Sequence, residues 1–268
     1  MSESIITYRD HSPFFRTAPG RFFVRSLLTD SSLPIEHRTP IVTRRRIRDL
    51  KRKDVLAVPA AAVPERDDGD LLPNQFLANL GDEQVTYLAD AAKRVPSQIN
   101  VWSFAIVVRA GWVLTYRQGR YREGRDSFLN RRSIGFYAPV VKSDHDLFSQ
   151  SDKGLVAGGI SALAMDLDLY GDSMLLESLR NSILAGFLYT DAPDGHGDLL
   201  GLIRFDCPTW FEPAARRLAV SDMLWHDLRS PPNHLDDFDP WSKAVIQQAT
   251  RWAGGNAELD GAVGAGVY

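Results

Sequence analysis

Four acids, Asp166, Asp168, Asp172 and Glu177, fall close together in this sequence and raise the question of a divalent cation. Hard cations such as Mg²⁺ need clustered oxygen ligands, which a helix supplies at spacings of three and four residues. Asp166 and Asp168 are two residues apart, so on an ideal helix they point about 200° from one another and cannot share an ion. The plain alternative is a set of solvated acids at a helix end. His145 lies between Asp144 and Asp146, and His196 lies in an APDGHG turn. Each has the chemistry of a ligand or base, and each also suits a solvated loop. Cys207 is the single cysteine, so neither an intrachain disulfide nor a cysteine zinc site can form. There is no G-x-S-x-G elbow, P-loop or G-x-G-x-x-G. A basic block carries Arg38, Arg44, Arg45, Arg46, Arg48, Lys51, Arg52 and Lys53 against Asp49 alone. It suits contact with nucleic-acid phosphates, and equally a solvated face or linker.

The elements around these residues alternate between strand and helix signals. Phe14, Phe15 and Phe22 to Val24 flank Ala18-Pro19-Gly20, which predicts a β-hairpin. VLAVPAAAVP (55–64) predicts a short strand broken by Pro59 and Pro64, followed by an acidic loop at 65–70. A helix is expected over 81–94. Residues 99–118 predict two strands turning at Arg109-Ala110-Gly111, and 131–141 another strand. The Ala- and Leu-rich stretch 153–169 reads as a helix whose start Gly158 and Gly159 weaken, and apolar spacing continues over 174–184. Strands are expected at 185–189 and 199–205. A last helix is expected over 236–252, with Asp239 as cap and Pro240 in the first turn. The Gly- and Ala-rich end is expected to fray. This order implies α/β or α+β architecture.

The bulk properties exclude little. The 268 residues are 44% hydrophobic and 24% charged, enough for a sizeable core. A formal charge of −3 gives no global pull toward nucleic acid or anionic membrane. No run approaches the roughly 20 apolar residues of a membrane span, and residues 1–10 lack a signal-peptide core. A cytoplasmic protein is the expectation.

Several segments, in order, resemble bacterial Nudix proteins of the predicted phosphoesterase kind. They are the VP-containing strand at 55–64, the strand pair ending at Arg117, and Ser133-Ile134-Gly135-Phe136-Tyr137-Ala138-Pro139-Val140 in place of an S-I-G-F-G-G-H-I phrase. Gly-aliphatic strands at Gly186-Phe187 and Gly201-Leu202 and a helix with Trp241-Ser242 follow. The resemblance spans roughly 55–250 and rests on the order of the pieces. It implies a mixed sheet sandwiched by helices, with Arg117, Arg131, Arg132 and Tyr137 as candidate ligand or phosphate contacts. SPFFRTAPGRFFVR also resembles the wing hairpin of a HARE-type winged helix, expected here as a remnant without its recognition helices.

Nudix enzymes hydrolyse nucleoside diphosphates linked to another group, using a box of the form G-x5-E-x7-R-E-U-x-E-E-x-G-U that holds Mg²⁺ or Mn²⁺. The matching helix here puts Ser161 at the Arg, Ala162 at the first Glu of the R-E pair, and Met165 and Asp166 at the paired glutamates. Asp168 takes the Gly, while Leu163 and Leu169 keep the aliphatic pattern. Alanine and methionine cannot ligate Mg²⁺, so the standard site should not assemble. Gly171 to Glu177 reproduces G-x5-E, but Ala185 and Gly186 then occupy the R-E places. Tyr137, Ala138 and Pro139 replace the two glycines and His, and Pro139 also removes a donor.

The expected organisation is an N-terminal hairpin and basic segment (1–54), a Nudix-like domain (55–253) and a flexible tail (254–268). The expected function is that of a catalytically degenerate binding protein: a nucleotide sensor, scaffold or regulatory subunit, without a metal. One alternative is a divergent Mg²⁺-dependent hydrolase using Asp166 with Asp168 or Glu177. The other is a nucleic-acid-associated protein using Arg44, Arg45, Arg46, Arg48 and Lys51. A protein partner and a homodimer are compatible with the leading reading.

Overall fold

The computed structural model describes residues 14–18, 21–24, 54–64, 71–88, 95–119, 126–145, 151–167, 169, 179–191, 197–211, 213, 220–227, 230, 232 and 234–253. The expected hairpin forms from β1 (Phe14–Ala18) and β2 (Arg21–Val24), a two-stranded antiparallel sheet with Phe14 opposite Val24. The VP segment forms β3 (Val55–Pro59), which ends on its proline, as a residue without an N–H requires.

The helix expected over 81–94 is not found in its described part. After α1 (Phe76–Asn79) the chain makes a 3₁₀ turn at Asp82–Gln84 and then β4 (Thr86–Leu88), paired antiparallel with β3. Val85 and Tyr87 pack on the core. Alternation of two with β-branched and aromatic residues suits a strand, and tertiary pairing overrides the helical signal.

β5 (Gln98–Arg109) and β6 (Trp112–Gln118) form the expected hairpin. Ala110 at φ 50° and Gly111 at φ 84° make its turn. β7 (Arg132–Ser133) pairs with β6, and β8 (Gly135–Pro139) pairs with β5. α2 (Leu155–Asp166) follows. Then come β9 (Ile183–Asp191), β10 (Gly197–Asp206), β11 (Val220–Asp227) and α3 (Pro240–Ala253). Of the apolar spacing at 174–184, residues 174–178 lie outside the described residues, and Ile183 and Leu184 already belong to β9.

These strands build a nine-stranded mixed sheet with the central order β11-β6-β5-β10-β9. β10 runs parallel to β5, and the other pairings are antiparallel. β5 is the axis, because β3, β6, β8 and β10 all pair with it. Its side chains therefore alternate between two buried faces. Val101, Ala105 and Val107 join Phe136, Leu155, Leu163 and Ile203 under α2. Trp102 and Phe104 join Tyr137, Leu202, Trp241 and Val245 under α3. The result is the expected sheet between helices. No helix among the described residues is long and apolar enough to cross a membrane.

α2 packs on the sheet through its glycines. A Cβ on Gly159 would stand 2.2 Å from Ile203 Cδ1, so glycine there permits the approach. The glycines that weaken the helix in isolation are the ones that dock it.

Candidate functional site

Asp152 starts α2 by accepting the Gly154 and Val156 backbone N–H groups, each at 3.1 Å. Leu155, Gly158, Gly159, Ala162, Leu163 and Asp166 form a buried stripe at spacings of three and four, and Ala164 is buried beside it. Asp166, the acid that the resemblance puts at a box Glu position, thus lies on the sheet-facing stripe and is 1% exposed. Ala162 is buried beside it, and Met165 is partly covered. Ser103 of β5 donates to the Leu155 carbonyl at 2.7 Å, tying the helix start to the central strand.

Among the described residues, this donor set does not fit the metal that the resemblance implies. Of the four Glu positions that the resemblance assigns, Lys153, Ala162 and Met165 carry no carboxylate, and the fourth, Asp166, is buried. Among the described residues no group of three or more His, Cys, Asp or Glu converges. Asp168, Asp172 and Glu177 lie outside the described residues, as do Asp146, His196 and the basic residues Arg44, Arg45, Arg46, Arg48 and Lys51. His145 is exposed just after a 3₁₀ turn at Lys142–Asp144.

A charge that sequence reading missed stands at the start of α2. In the quoted box a Glu precedes the Arg by eight residues, and here that place is Lys153. Its ammonium pairs with Asp82 of the 3₁₀ turn before β4. The Lys153 bond is the main reason the Asp82 carboxyl is held below its ordinary range, aided by charge from His145. Counting the box backwards from Ser161 would have found this reversal. Its partner, 71 residues away, could not be found so.

The arginines assemble on the other side of the sheet. Alternation along β6 puts Arg117 on the α3 side with Val113 and Thr115, away from the box helix. Arg117 holds Asp237 with two hydrogen bonds, 2.9 and 2.7 Å, from its two terminal nitrogens. Arg132 pairs with the Asp222 carboxylate and donates to Thr115 Oγ1 at 3.1 Å. The pairs cross over: Arg117 Nε is 3.8 Å from Asp222, and Arg132 Nε is 3.7 Å from Asp237. Arg131 donates to the Asp236 carbonyl at 2.8 Å. The Asp237 bond pushes the Arg117 guanidinium up, and the same bond holds Asp237 below the usual carboxylate range.

Tyr137 belongs to neither group. It is fully buried and stacked in parallel with Phe104, and its hydroxyl donates to Gln118 Oε1 at 2.9 Å. Gln118 Nε2 passes the chain on to Asp239 Oδ2 at 3.1 Å. Asp239 caps α3 as expected, accepting from the Ser242 N–H at 2.9 Å and the Ser242 hydroxyl at 2.7 Å. Burial pushes its carboxyl up against the hydrogen bonds from Ser242 and Ser133 that favour its anion. The structure therefore brings Arg117, Arg131 and Arg132 together, and separates them from Asp166 by the sheet.

No family model matches the chain, and no curated protein matches it in sequence. Solved structures do. Tm1382, a protein of Nudix-hydrolase type, is 16% identical with a TM-score of 0.50, over 74% of this chain and 98% of that one. A Nudix hydrolase from Alicyclobacillus acidocaldarius is 13% identical with a TM-score of 0.40, over 57% of this chain and 91% of that one. The bifunctional NMN adenylyltransferase/ADP ribose pyrophosphatase of Francisella tularensis is 16% identical with a TM-score of 0.39, over 58% of this chain and 42% of that one. The likeness to Tm1382 defines the architecture: this chain has the Nudix fold.

Proposed function

We propose that this Nudix-fold protein binds a phosphate-bearing nucleotide without hydrolysing it, as a sensor or regulatory subunit. The observation that carries the reading is Asp166, buried on the sheet-facing stripe of α2 while Ala162 and Met165 take the other box places. Hydrolysis of a diphosphate needs a water activated and charge neutralised at the phosphoryl group, and this helix offers one buried carboxylate, Asp166, for that. Binding needs less. Paired guanidiniums present planar donor forks that match phosphate oxygens, and Arg117 and Arg132 are held side by side with Arg131 adjacent. With its side chain 37% exposed, Arg117 is within reach of a ligand.

Calorimetric titration of the purified chain with ADP tests the binding half of this function. We expect measurable binding that weakens as salt rises and is lost in Arg117→Gln. Binding that survives Arg117→Gln unchanged would place the ligand elsewhere and end the arginine-site reading.

A further inference from the structure

Building on the arginine-site reading, we infer that Asp222 is an internal occupant of the anion site, a gate that must leave Arg132 before a phosphoryl group can bind. Asp222 and Asp237 each stand within ion-pair distance of both guanidiniums. One anion bridging two neighbouring guanidiniums is the arrangement a phosphoryl group adopts when arginines bind it. The intramolecular carboxylates thus take the donors that an external anion would use.

The two carboxylates are not equally anchored. Asp237 is bidentate on Arg117 and sits in the 3₁₀ turn Leu235–Asp237 that leads into α3. Asp222 is 50% exposed and has the left-handed φ of 48°, within the irregularity that breaks β11 pairing between Ser221 and Leu224. Aspartate tolerates that conformation better than most residues, and the strand pairs on either side of it. Ser221 still pairs with Arg117, and Leu224 to Asp227 still pair with Thr115 to Trp112. The Asp222 side chain can therefore swing out while β11 stays on the sheet and the Asp222 carbonyl keeps its hydrogen bond from Arg132 at 3.0 Å.

The arginines keep their places when it does. Thr115 Oγ1 accepts from Arg132 at 3.1 Å, and the Asn130 carbonyl accepts from Arg117 at 2.8 Å. The site is positioned from behind and closed in front. Closure lowers the apparent affinity by the fraction of molecules that are open.

The test is calorimetric titration of the full chain with inorganic pyrophosphate, comparing wild type, Asp222→Asn, Asp236→Asn and Arg117→Gln. Asp236 removes the same charge nearby, but its side chain pairs with Lys243 rather than with the arginine pair. We expect Asp222→Asn to bind about three- to fivefold tighter than wild type, the scale of an exposed ion pair, and Asp236→Asn to change little. Asp222→Ser repeats the comparison if the asparagine variant fails to fold. Equal affinities in wild type and Asp222→Asn, both lost in Arg117→Gln, would overturn the gate and leave the arginine site standing. A gain in Asp236→Asn matching that in Asp222→Asn would also overturn it, since net charge alone would then be the cause. Binding indifferent to Arg117→Gln, or absent from every variant, would remove the site and the gate together.

Discussion

Arg117 and Asp237 lie 120 residues apart and meet as a two-point ion pair, both oxygens of the carboxylate accepting from one guanidinium. The contact joins β6 to the turn that starts α3, so it fixes how the last helix enters the sheet. It also makes acid sensitivity predictable. The folded-state pKa of Asp237 is lowered, chiefly by the Arg117 bond. Its stabilisation is therefore full above the unfolded carboxylate value near 4, and it is lost as pH falls through the lowered folded value. Both side chains are more than a third exposed, so solvent screening limits the pair to about 0.5–1 kcal/mol. We expect urea melts to show Asp237→Asn destabilised by that amount at pH 7, with the gap to wild type closing toward pH 2. A gap unchanged across that range would contradict the assignment.

Asp239 should matter more for stability than Asp237. It is fully buried, and it serves the Ser242 N–H, the Ser242 hydroxyl and the Gln118 amide at once. Asp239→Ala takes the acceptor from the Ser242 N–H and the Gln118 amide inside the protein and removes the α3 cap, a loss of about 2–4 kcal/mol. Chemical denaturation reads it directly. A change under about 0.5 kcal/mol, the scale of an ordinary surface substitution, would mean that the network is not structural.

The sandwich itself was legible from period and order. Runs such as 99–118 carry their turn and their pairing locally, and the α2 stripe shows in its apolar spacing. β11 was not anticipated, because Ser221 and Asp222 interrupt its apolar residues and its register breaks there. The β4 segment was read as helix because its strand character is set by β3, about 30 residues away. The site divides in the same way. The letters Ala162 and Met165 already stand where the resemblance expects acids, but the burial of Asp166 depends on how the whole helix docks. Arg117, Arg131 and Arg132 could be picked out as cations. Their carboxylate partners could not, since Asp222 and Asp237 lie some 90 to 120 residues away.

The docking of α2 can be probed at Gly159. Gly159→Ala places a methyl 2.2 Å from Ile203 Cδ1, so one side chain must give way. Alanine also favours helix by about 1 kcal/mol, which offsets part of the clash. The sharper expectation is coupling. Ile203→Val removes the clashing carbon, so Gly159→Ala should cost about 1 kcal/mol less in that background than in wild type. Additive effects in the double-mutant cycle would show that helix and strand are not in contact there.

The central claim is that the box-equivalent helix packs and does not catalyse. The most direct measurement is turnover of dinucleoside polyphosphates, nucleotide sugars and dNTPs by the purified chain in Mg²⁺ or Mn²⁺, with Asp166→Asn assayed alongside. The account predicts no turnover above background in either protein. Robust hydrolysis by the wild type that Asp166→Asn abolishes would contradict it, and would make this chain a divergent metal-dependent hydrolase.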